Sequence, residues 1–238
     1  MRTHRLVIAT AAALALAALG GGAGWAQRNA TTATPPPSSF STHVNNPWFP
    51  VVPGTRYMYR GVKDGKPSQD IMIVTHETRT IAGVRCVVVS DRLWLSGHLE
   101  ERTTDYYAQD KEGNVWYFGE ETEELDEHGH VTSREGTWHA GTDGAVPGIY
   151  IPGNPKVGQT ARQEYYKGHA EDHFRVVSID RSVLGSGTAN AVLTEEWTPL
   201  EPGVLDHKLY VRGIGTVLEQ SQKGANERNE LISVQKGS

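Results

Sequence analysis

A succession of strand-like runs, joined by short links that contain Gly, fills the sequence from Thr55 to Val234. Its densest part is Asp105–Glu121, DYYAQDKEGNVWYFGEE, in which two runs of aromatic and β-branched residues flank a polar link that ends in Gly113. Aromatic and β-branched residues suit a pleated, half-buried surface, and the link suits a hairpin. No stretch keeps a 3.6-residue apolar period between helix caps. The sequence therefore predicts an all-β fold.

The links between the runs are short as far as the aromatic hairpin, which favours antiparallel pairing of successive strands. We expect about a dozen strands in a single antiparallel, strongly curved sheet, either a half-barrel or a closed barrel. Residues 140–159 depart from this pattern, with five Gly and three Pro in one long link. We predict that this link is either a lid at the mouth of the sheet or a strap that closes a sheet edge.

The chain is expected to have three parts. Residues 1–26 combine a basic start, an apolar run from Leu6 to Leu19 and small residues before Gln27, which is typical of a cleaved signal peptide. Residues 27–45 are rich in Ala, Thr, Ser and Pro and are predicted to be a disordered tether. Residues 46–238 are predicted to form one antiparallel β domain, beginning with an aromatic plug at Trp48-Phe49. The protein is therefore expected to be secreted or periplasmic.

Charge and cysteine content exclude several classes of partner and chemistry. Without Arg2 and Arg5, 21 basic residues face 28 acidic residues, a net charge of −7 with His neutral. Nucleic acids and anionic lipid surfaces require a basic patch, so neither is expected as a partner. The apolar run near the start is shorter than the roughly 20 residues of a membrane-spanning helix, so no membrane span is predicted. Cys86 lies in an apolar run and is predicted to be a small core residue.

One polar segment, Gly168-His169-Ala170-Glu171-Asp172-His173, predicts a metal site. If it enters a strand, the side chains of His169, Glu171 and His173 point to one face. Two imidazoles and a carboxylate are ligands that zinc and other divalent metals accept. The alternative is that these residues form the solvated polar face of a strand.

A second group of residues combines acidic and aromatic side chains on predicted strands. Facing one another across a curved sheet, they would line a pocket with apolar walls and a few polar groups. The predicted ligand-binding residues are Tyr107, Trp116, Phe118, Glu164, Tyr166 and Trp197. Glu164 is the polar anchor of this pocket, and Glu164 with Glu195 is the first pair to test for paired-carboxylate catalysis.

Three segments carry a resemblance: YYAQDKEGNVWYFGE at 106–120, QEYYKGHAED at 163–172 and TEEWTPLEPGVLDHKLYVRGIG at 194–215. There the chain resembles a family of uncharacterised secreted bacterial proteins, of actinobacterial and proteobacterial type, from about Asn46 onward. The run of strands is also loosely similar in architecture to the half-barrels of periplasmic lipoprotein carriers. This resemblance implies an exported β domain and transfers no catalytic or binding residue.

Nucleophile elbows, phosphate-binding loops and complete dinucleotide-binding motifs are absent from the sequence. The leading hypothesis is an exported module of the cell envelope or extracellular space that binds an apolar or amphipathic small molecule. The alternatives are a metal-binding protein or metal-dependent enzyme using His169, Glu171 and His173, and an envelope protein that recognises another protein through an apolar patch. The sequence specifies neither a cofactor nor an oligomeric state.

Overall fold

The computed structural model describes residues 33–180 and 190–237, which contain one short 3-10 turn at Pro37–Ser39 and fifteen strands. The first half of the chain contributes β1 (Arg56–Lys63), β2 (Lys66–Ile81), β3 (Val84–Leu95), β4 (His98–Gln109), β5 (Val115–Leu125), β6 (Val131–Ser133), β7 (Trp138–His139) and β8 (Val146–Ile151). The second half contributes β9 (Thr160–Arg162), β10 (Glu164–Tyr165), β11 (His173–Asp180), β12 (Ala191–Trp197), β13 (Leu205–Val211), β14 (Gly215–Lys223) and β15 (Glu227–Gln235).

All fifteen strands belong to one antiparallel sheet. Its order is β10-β8-β5-β4-β3-β2-β1-β15-β14-β13-β12-β11-β9, with the short strands β6 and β7 also paired to β5. The two ends of this order, β9 and β10, are separated in sequence by Gln163 alone. The sheet therefore curls into a nearly closed barrel, which confirms the predicted fold class.

The seam of the barrel is at Gln163. Its backbone N–H donates to the carbonyl of Asp172 at 2.8 Å, and its side-chain amide donates to the carbonyl of Tyr150 at 3.2 Å. On one side of the seam β9 pairs with β11, and on the other β10 pairs with β8. One residue thus links both ends of the sheet.

Three two-residue hairpins fix the register of β1 to β4. Their loops are Asp64-Gly65, Ala82-Gly83 and Ser96-Gly97, and both residues of each loop have positive φ. Positive φ at both positions is the requirement of a type I′ turn, whose twist matches that of the flanking strands. The short Gly-containing links expected between successive strands are therefore confirmed in this part of the chain.

The Gly- and Pro-rich segment 140–159 differs from the predicted irregular loop because it contains β8. This strand pairs with β5 on one side and with β10 on the other, next to the seam. Gly148 allows the approach, because a Cβ there would lie 2.4 Å from the carbonyl oxygen of Arg162. Of the two readings, the strap at a sheet edge is the one the structure shows.

The segment before the first strand contacts the barrel through Phe40 and Asn46. Phe40 lies edge-on to the rings of Trp116 and Phe118, at centroid distances of 5.8 and 5.1 Å. Asn46 is 1% exposed and donates to the carbonyls of Gly113 and Pro152. The proposed signal peptide, residues 1–26, and positions 27–32 of the proposed tether lie outside the described residues.

Phe49 confirms the predicted aromatic plug, since its ring lies 5.3 Å from that of Tyr107 and 4.6 Å from that of Tyr150. One large core cluster joins this plug to buried residues on both faces of the sheet. Cys86 belongs to that cluster and is fully buried, as predicted. In the part of the chain that the structure describes, no helix has the length and apolar character to span a bilayer.

Candidate functional site

The interior of the barrel contains a cavity of about 70 Å³. Its walls come from seven strands and from the plug residue Phe49. The lining side chains are carboxyl, aromatic, small polar, apolar and basic: Asp70, Asp91, Glu101, Asp105, Glu219, Phe49, Tyr59, Tyr107, Tyr150, Ser68, Thr216, Asn229, Val62, Met72, Leu93, Lys63 and Arg228. Acidic and aromatic groups thus dominate the lining.

Strand alternation on β4 brings carboxyl and tyrosine groups to this cavity. Asp105 and Tyr107 line it. Tyr106, between them, lies on the opposite face of the strand, where its hydroxyl accepts a hydrogen bond from Arg79 at 2.7 Å. The next strand repeats the pattern, because the Tyr117 ring stacks on Tyr107 at a centroid distance of 4.9 Å. The period of two therefore separates a polar interior from an outer face.

Asp70 and Asp91 form a carboxyl pair on the wall of the cavity. Burial raises the pKa of Asp91 well above its usual value, and the charge of Asp70 raises it further. Burial also raises the pKa of Asp70, whose Oδ2 accepts a hydrogen bond from the Asn229 amide at 3.3 Å. Two carboxyl groups brought together in this way resist simultaneous ionisation, because their like charges repel each other.

Asp105 is a second carboxyl of the interior whose titration is moved toward neutral pH. Burial raises its pKa to about 7, although a hydrogen bond from the Tyr117 hydroxyl at 2.7 Å acts in the opposite direction. The same hydroxyl lies 3.2 Å from Glu120, whose pKa is raised well above its usual value by burial and then by the charge of Glu164. Burial therefore raises the pKa of more than one carboxyl group in the interior.

The ammonium group of Lys208 is buried beside Glu219, one of the carboxyl residues that line the cavity. Lys208 is 4% exposed, and its Nζ lies 3.1 Å from Glu196 and 3.4 Å from Glu219. It also lies 5.7 Å from the centre of the Tyr150 ring. Burial by itself would lower the pKa of Lys208, but the two carboxylates outweigh burial and raise it well above its usual value. The protein thus stabilises a primary ammonium between carboxylates and an aromatic ring.

Three polar atoms of the cavity lining have no hydrogen-bond partner within residues 33–180 and 190–237. They are Asp70 Oδ1, Thr216 Oγ1 and Asn229 Oδ1, and residues Thr216 and Asn229 are 5% and 9% exposed. The Thr216 carbonyl is satisfied, since it accepts a hydrogen bond from the Tyr59 hydroxyl at 3.1 Å. Buried polar atoms are rarely left unpaired in folded proteins, because each costs about 1–3 kcal/mol. Each of these three atoms can accept a hydrogen bond from a bound group or an ordered water.

The structure distributes the six predicted ligand-binding residues over several places. Tyr107 lines the cavity. Trp116 and Phe118 are 1% exposed but lie on the opposite face of β5, beneath Phe40, and the indole of Trp116 donates to Asp110 at 2.7 Å. They stabilise the outer layer and do not line the cavity, because residues one apart on a strand face opposite sides.

The other three predicted ligand-binding residues surround the seam rather than the cavity. Glu164 is 1% exposed on β10, and burial, followed by the charge of Asp172, raises its pKa well above its usual value. Tyr166 stacks on His169, and Trp197 stacks on His173. Glu195 hydrogen-bonds to Arg175 on the outer face of β12, so the Glu164–Glu195 pair is not assembled.

The predicted metal ligands are not presented by one strand face, because β11 begins only at His173. Residues 166–170 form a turn, in which the Tyr166 N–H donates to the carbonyl of Ala170. Glu171 accepts a hydrogen bond from the Gly168 N–H at 2.8 Å, and its carbonyl lies 2.8 Å from His173 Nδ1. Across the described ranges no group of three or more His, Cys, Asp or Glu side chains is arranged to hold a metal ion.

The sequence interpretation missed most of the residues at the cavity. Asp70, Asp91 and Asp105 each lie within or beside an apolar or aromatic run, as in VVVSDRLWL around Asp91. A carboxyl group in such a run signals a buried acidic residue, since its apolar neighbours require burial of the strand on at least one face. Thr216 and Asn229 carry no comparable signal, because their position follows from the barrel closure.

Comparisons with known proteins give two structural likenesses. The first is to a protein from Bacteroides fragilis inferred to be exported and having a YmcC-like fold, with 17% identity, a TM-score of 0.44, and coverage of 79% of this chain and 99% of the other. The second is to a protein from Parabacteroides distasonis inferred to be a lipoprotein, with 11% identity, a TM-score of 0.40, and coverage of 79% and 98%. No protein-family model and no curated protein matches the chain.

Proposed function

We propose that the chain is an exported binding module whose barrel interior holds a small molecule with both polar and apolar groups. The cavity between β1, β2, β3, β4, β8, β14 and β15 is the observation that carries the proposal. Buried carboxyls destabilise a fold unless they are compensated, so their concentration at one cavity supports a functional role. The aromatic rings of Phe49, Tyr59, Tyr107 and Tyr150 supply the apolar part of the surface.

This proposal refines the ligand expected from the sequence. The acidic lining disfavours a purely apolar ligand, because burying an uncompensated carboxylate against hydrocarbon is costly. An amphipathic ligand fits both kinds of wall. The metal alternative has less support, since none of the described acidic or imidazole side chains form a coordinating group of three.

Filling the cavity tests the proposal. Ser68 lies in the wall on β2, and Ser68→Leu introduces a larger side chain at that position. The control is Thr80→Leu, an exposed position on the same strand. Saturation-transfer NMR with a mixture of small amines, alcohols and carboxylates is expected to detect binding to the wild type and to Thr80→Leu. Binding is expected to be lost in Ser68→Leu.

Two results decide against the proposal. One is the absence of saturation transfer to any member of the mixture with wild-type protein, a measurement that does not depend on whether Ser68→Leu folds. The other is unchanged binding in a Ser68→Leu variant whose circular dichroism matches that of the wild type.

Export is the second part of the proposal and rests on residues 1–26. Expression of the full chain in a bacterial host with an intact secretion system is expected to give a protein whose N-terminus is Gln27. N-terminal sequencing of the exported fraction measures this directly. A protein that stays in the cytoplasm with Met1 in place would contradict export.

A further inference from the structure

We infer that the polar end of the ligand is a primary ammonium group, bound at the cavity wall by Asp70, Thr216 and Asn229. This inference rests on the proposed function of the cavity and names the chemical class of its ligand. It draws on four observations: the unpaired acceptor atoms, the charge of the lining, the buried Lys208 ammonium beside the cavity and the size of the space.

The unpaired atoms at the cavity require hydrogen-bond donors. The Asn229 amide donates to Asp70, so its unpaired Oδ1 is an acceptor. Thr216 Oγ1 is also unpaired and accepts through its lone pairs. A primary ammonium carries three donors and no acceptor, which matches these two oxygens and the carboxylate of Asp70. A quaternary ammonium has no donor, and an alcohol has only one.

The acidic lining favours a cation, because a cation bound beside carboxyl groups lowers their pKa values and stabilises their charged form. Five carboxyl groups line the cavity, whereas its basic residues are Lys63 and Arg228. The Arg228 guanidinium is directed outward, where it donates to Gln220 at 2.9 Å and to Glu230 at 3.0 Å. Burial raises the pKa of Glu227, and the charge of nearby Lys63 lowers it. The carboxyl groups of the lining thus outnumber its basic groups by five to two.

Lys208 shows that the interior of this barrel accommodates a primary ammonium. Its Nζ contacts Glu196 and Glu219 and lies near the Tyr150 ring. Glu219 and Tyr150 also line the cavity, so the two regions share a carboxylate and an aromatic wall. The cavity repeats the same chemistry with Asp70 in place of Glu196 and the rings of Tyr59 and Tyr107 nearby.

The size of the cavity limits the part of a ligand that lies inside it. A water needs about 10–15 Å³ of such space, so about 70 Å³ holds roughly five non-hydrogen atoms. An ammonium with a short alkyl chain fits this volume. The alkyl part would contact Phe49 and Met72, which are apolar residues of the lining.

Matched ligands test the inference. Butylammonium and 1-butanol have the same number of non-hydrogen atoms and differ in charge and donors, whereas tetramethylammonium retains the charge and has no donor. We expect isothermal titration calorimetry to give a dissociation constant at least about tenfold lower for butylammonium than for either of the other two, since hydrogen bonds to charged groups are the stronger kind. Asp70→Asn and Thr216→Val are expected to weaken butylammonium binding by about tenfold each. Asp64→Asn, in the exposed loop between β1 and β2, is the control and is expected to leave binding unchanged.

Each contrary result has a distinct meaning. Equal affinity for butylammonium and 1-butanol would overturn the inference and leave the proposed binding function in place. An affinity for tetramethylammonium equal to that for butylammonium would overturn the role of the three hydrogen-bond donors. Absence of binding for all three, together with no saturation transfer from the mixed small molecules, would overturn both the inference and the proposed function. The wild-type comparison of the three ligands decides the matter even where a variant fails to fold.

Discussion

The ammonium of Lys208 lies 3.4 Å from a carboxylate oxygen of Glu219, and Glu219 also lines the cavity of the barrel. The ion pair that stabilises the interior and the site proposed for a ligand therefore share one residue. Changes to this pair are expected to affect both the stability of the fold and the charge of the cavity.

Removing the Lys208 ammonium leaves Glu196 and Glu219 buried without their cation. Lys208→Met is therefore expected to lower the free energy of unfolding by about 3–5 kcal/mol, as for other buried pairs that lose one partner. The control is Arg175→Met, which removes a partner of Glu195 on the outer face and is expected to cost less than about 1 kcal/mol. Urea denaturation of both variants at pH 8 measures the difference. Equal costs would contradict the buried role of Lys208.

The raised pKa of Asp105 predicts a dependence of stability on pH. The groups that face this carboxyl are Tyr117, Glu101, Asp70 and Arg92. A folded pKa of about 7, against about 4 in the unfolded chain, means that the folded state binds more protons between these values. Stability from this group is thus fully present below pH 4 and is lost as pH rises through 7.

The measurement for Asp105 is chemical denaturation at pH 5 and pH 8. The wild type is expected to lose on the order of 2 kcal/mol more than Asp105→Asn between the two values. The lowered pKa values of His139 and His173 act in the opposite direction, but they are common to both proteins and cancel in the comparison. Identical pH dependence of the two proteins would show that Asp105 titrates normally.

Asn46 anchors the segment that enters the barrel. Its amide donates to two carbonyls, and its Oδ1 accepts from the N–H groups of Trp48 and Phe49. Asn46→Ala leaves these buried groups unpaired, so we expect a loss of about 2–4 kcal/mol. Asn45→Ala, at the exposed neighbouring position, is expected to cost less than about 1 kcal/mol. Thermal unfolding of the two variants compares them, and a similar melting temperature for both would contradict the anchor.

The close approach of the two chain segments at the Gln163 seam requires that residue 148 is glycine, which has no side chain. In Gly148→Ala the new Cβ would meet the carbonyl oxygen of Arg162 at 2.4 Å, so β8 and the 160–165 segment must separate. Hydrogen exchange at residues 160–165 is expected to become at least tenfold faster, because the backbone pairing there weakens. Val146→Ala, on the same strand but exposed, is the control. Unchanged exchange in Gly148→Ala would show that the seam tolerates a side chain.

Much of the fold was predictable because it depends on local patterns. Alternating runs and Gly-containing links located the hairpins, and the density of aromatic residues located β4 and β5. Strand β8 was missed because its Gly and Pro content masks its pairing with β5, which is a contact between distant parts of the chain. The closure at Gln163 likewise has no local signature.

The site was less predictable than the fold, for a related reason. The burial of Trp116 and Phe118 was foreseeable. Which face of the sheet they occupy depends on the register of β5 and on the approach of Phe40. The cavity combines side chains from β2 with side chains from β14 and β15, which follow more than a hundred residues later. Asp70 and Thr216 line the same cavity only because the sheet curls, and no spacing in the sequence encodes this arrangement.

The most direct test is a crystal structure of the mature protein in complex with butylammonium. The account predicts the ligand inside the barrel, with its nitrogen roughly 2.7–3.2 Å from oxygens of Asp70, Thr216 and Asn229 and its alkyl chain toward Phe49. A structure in which this cavity holds only ordered water, while butylammonium lies elsewhere or does not bind, would contradict it.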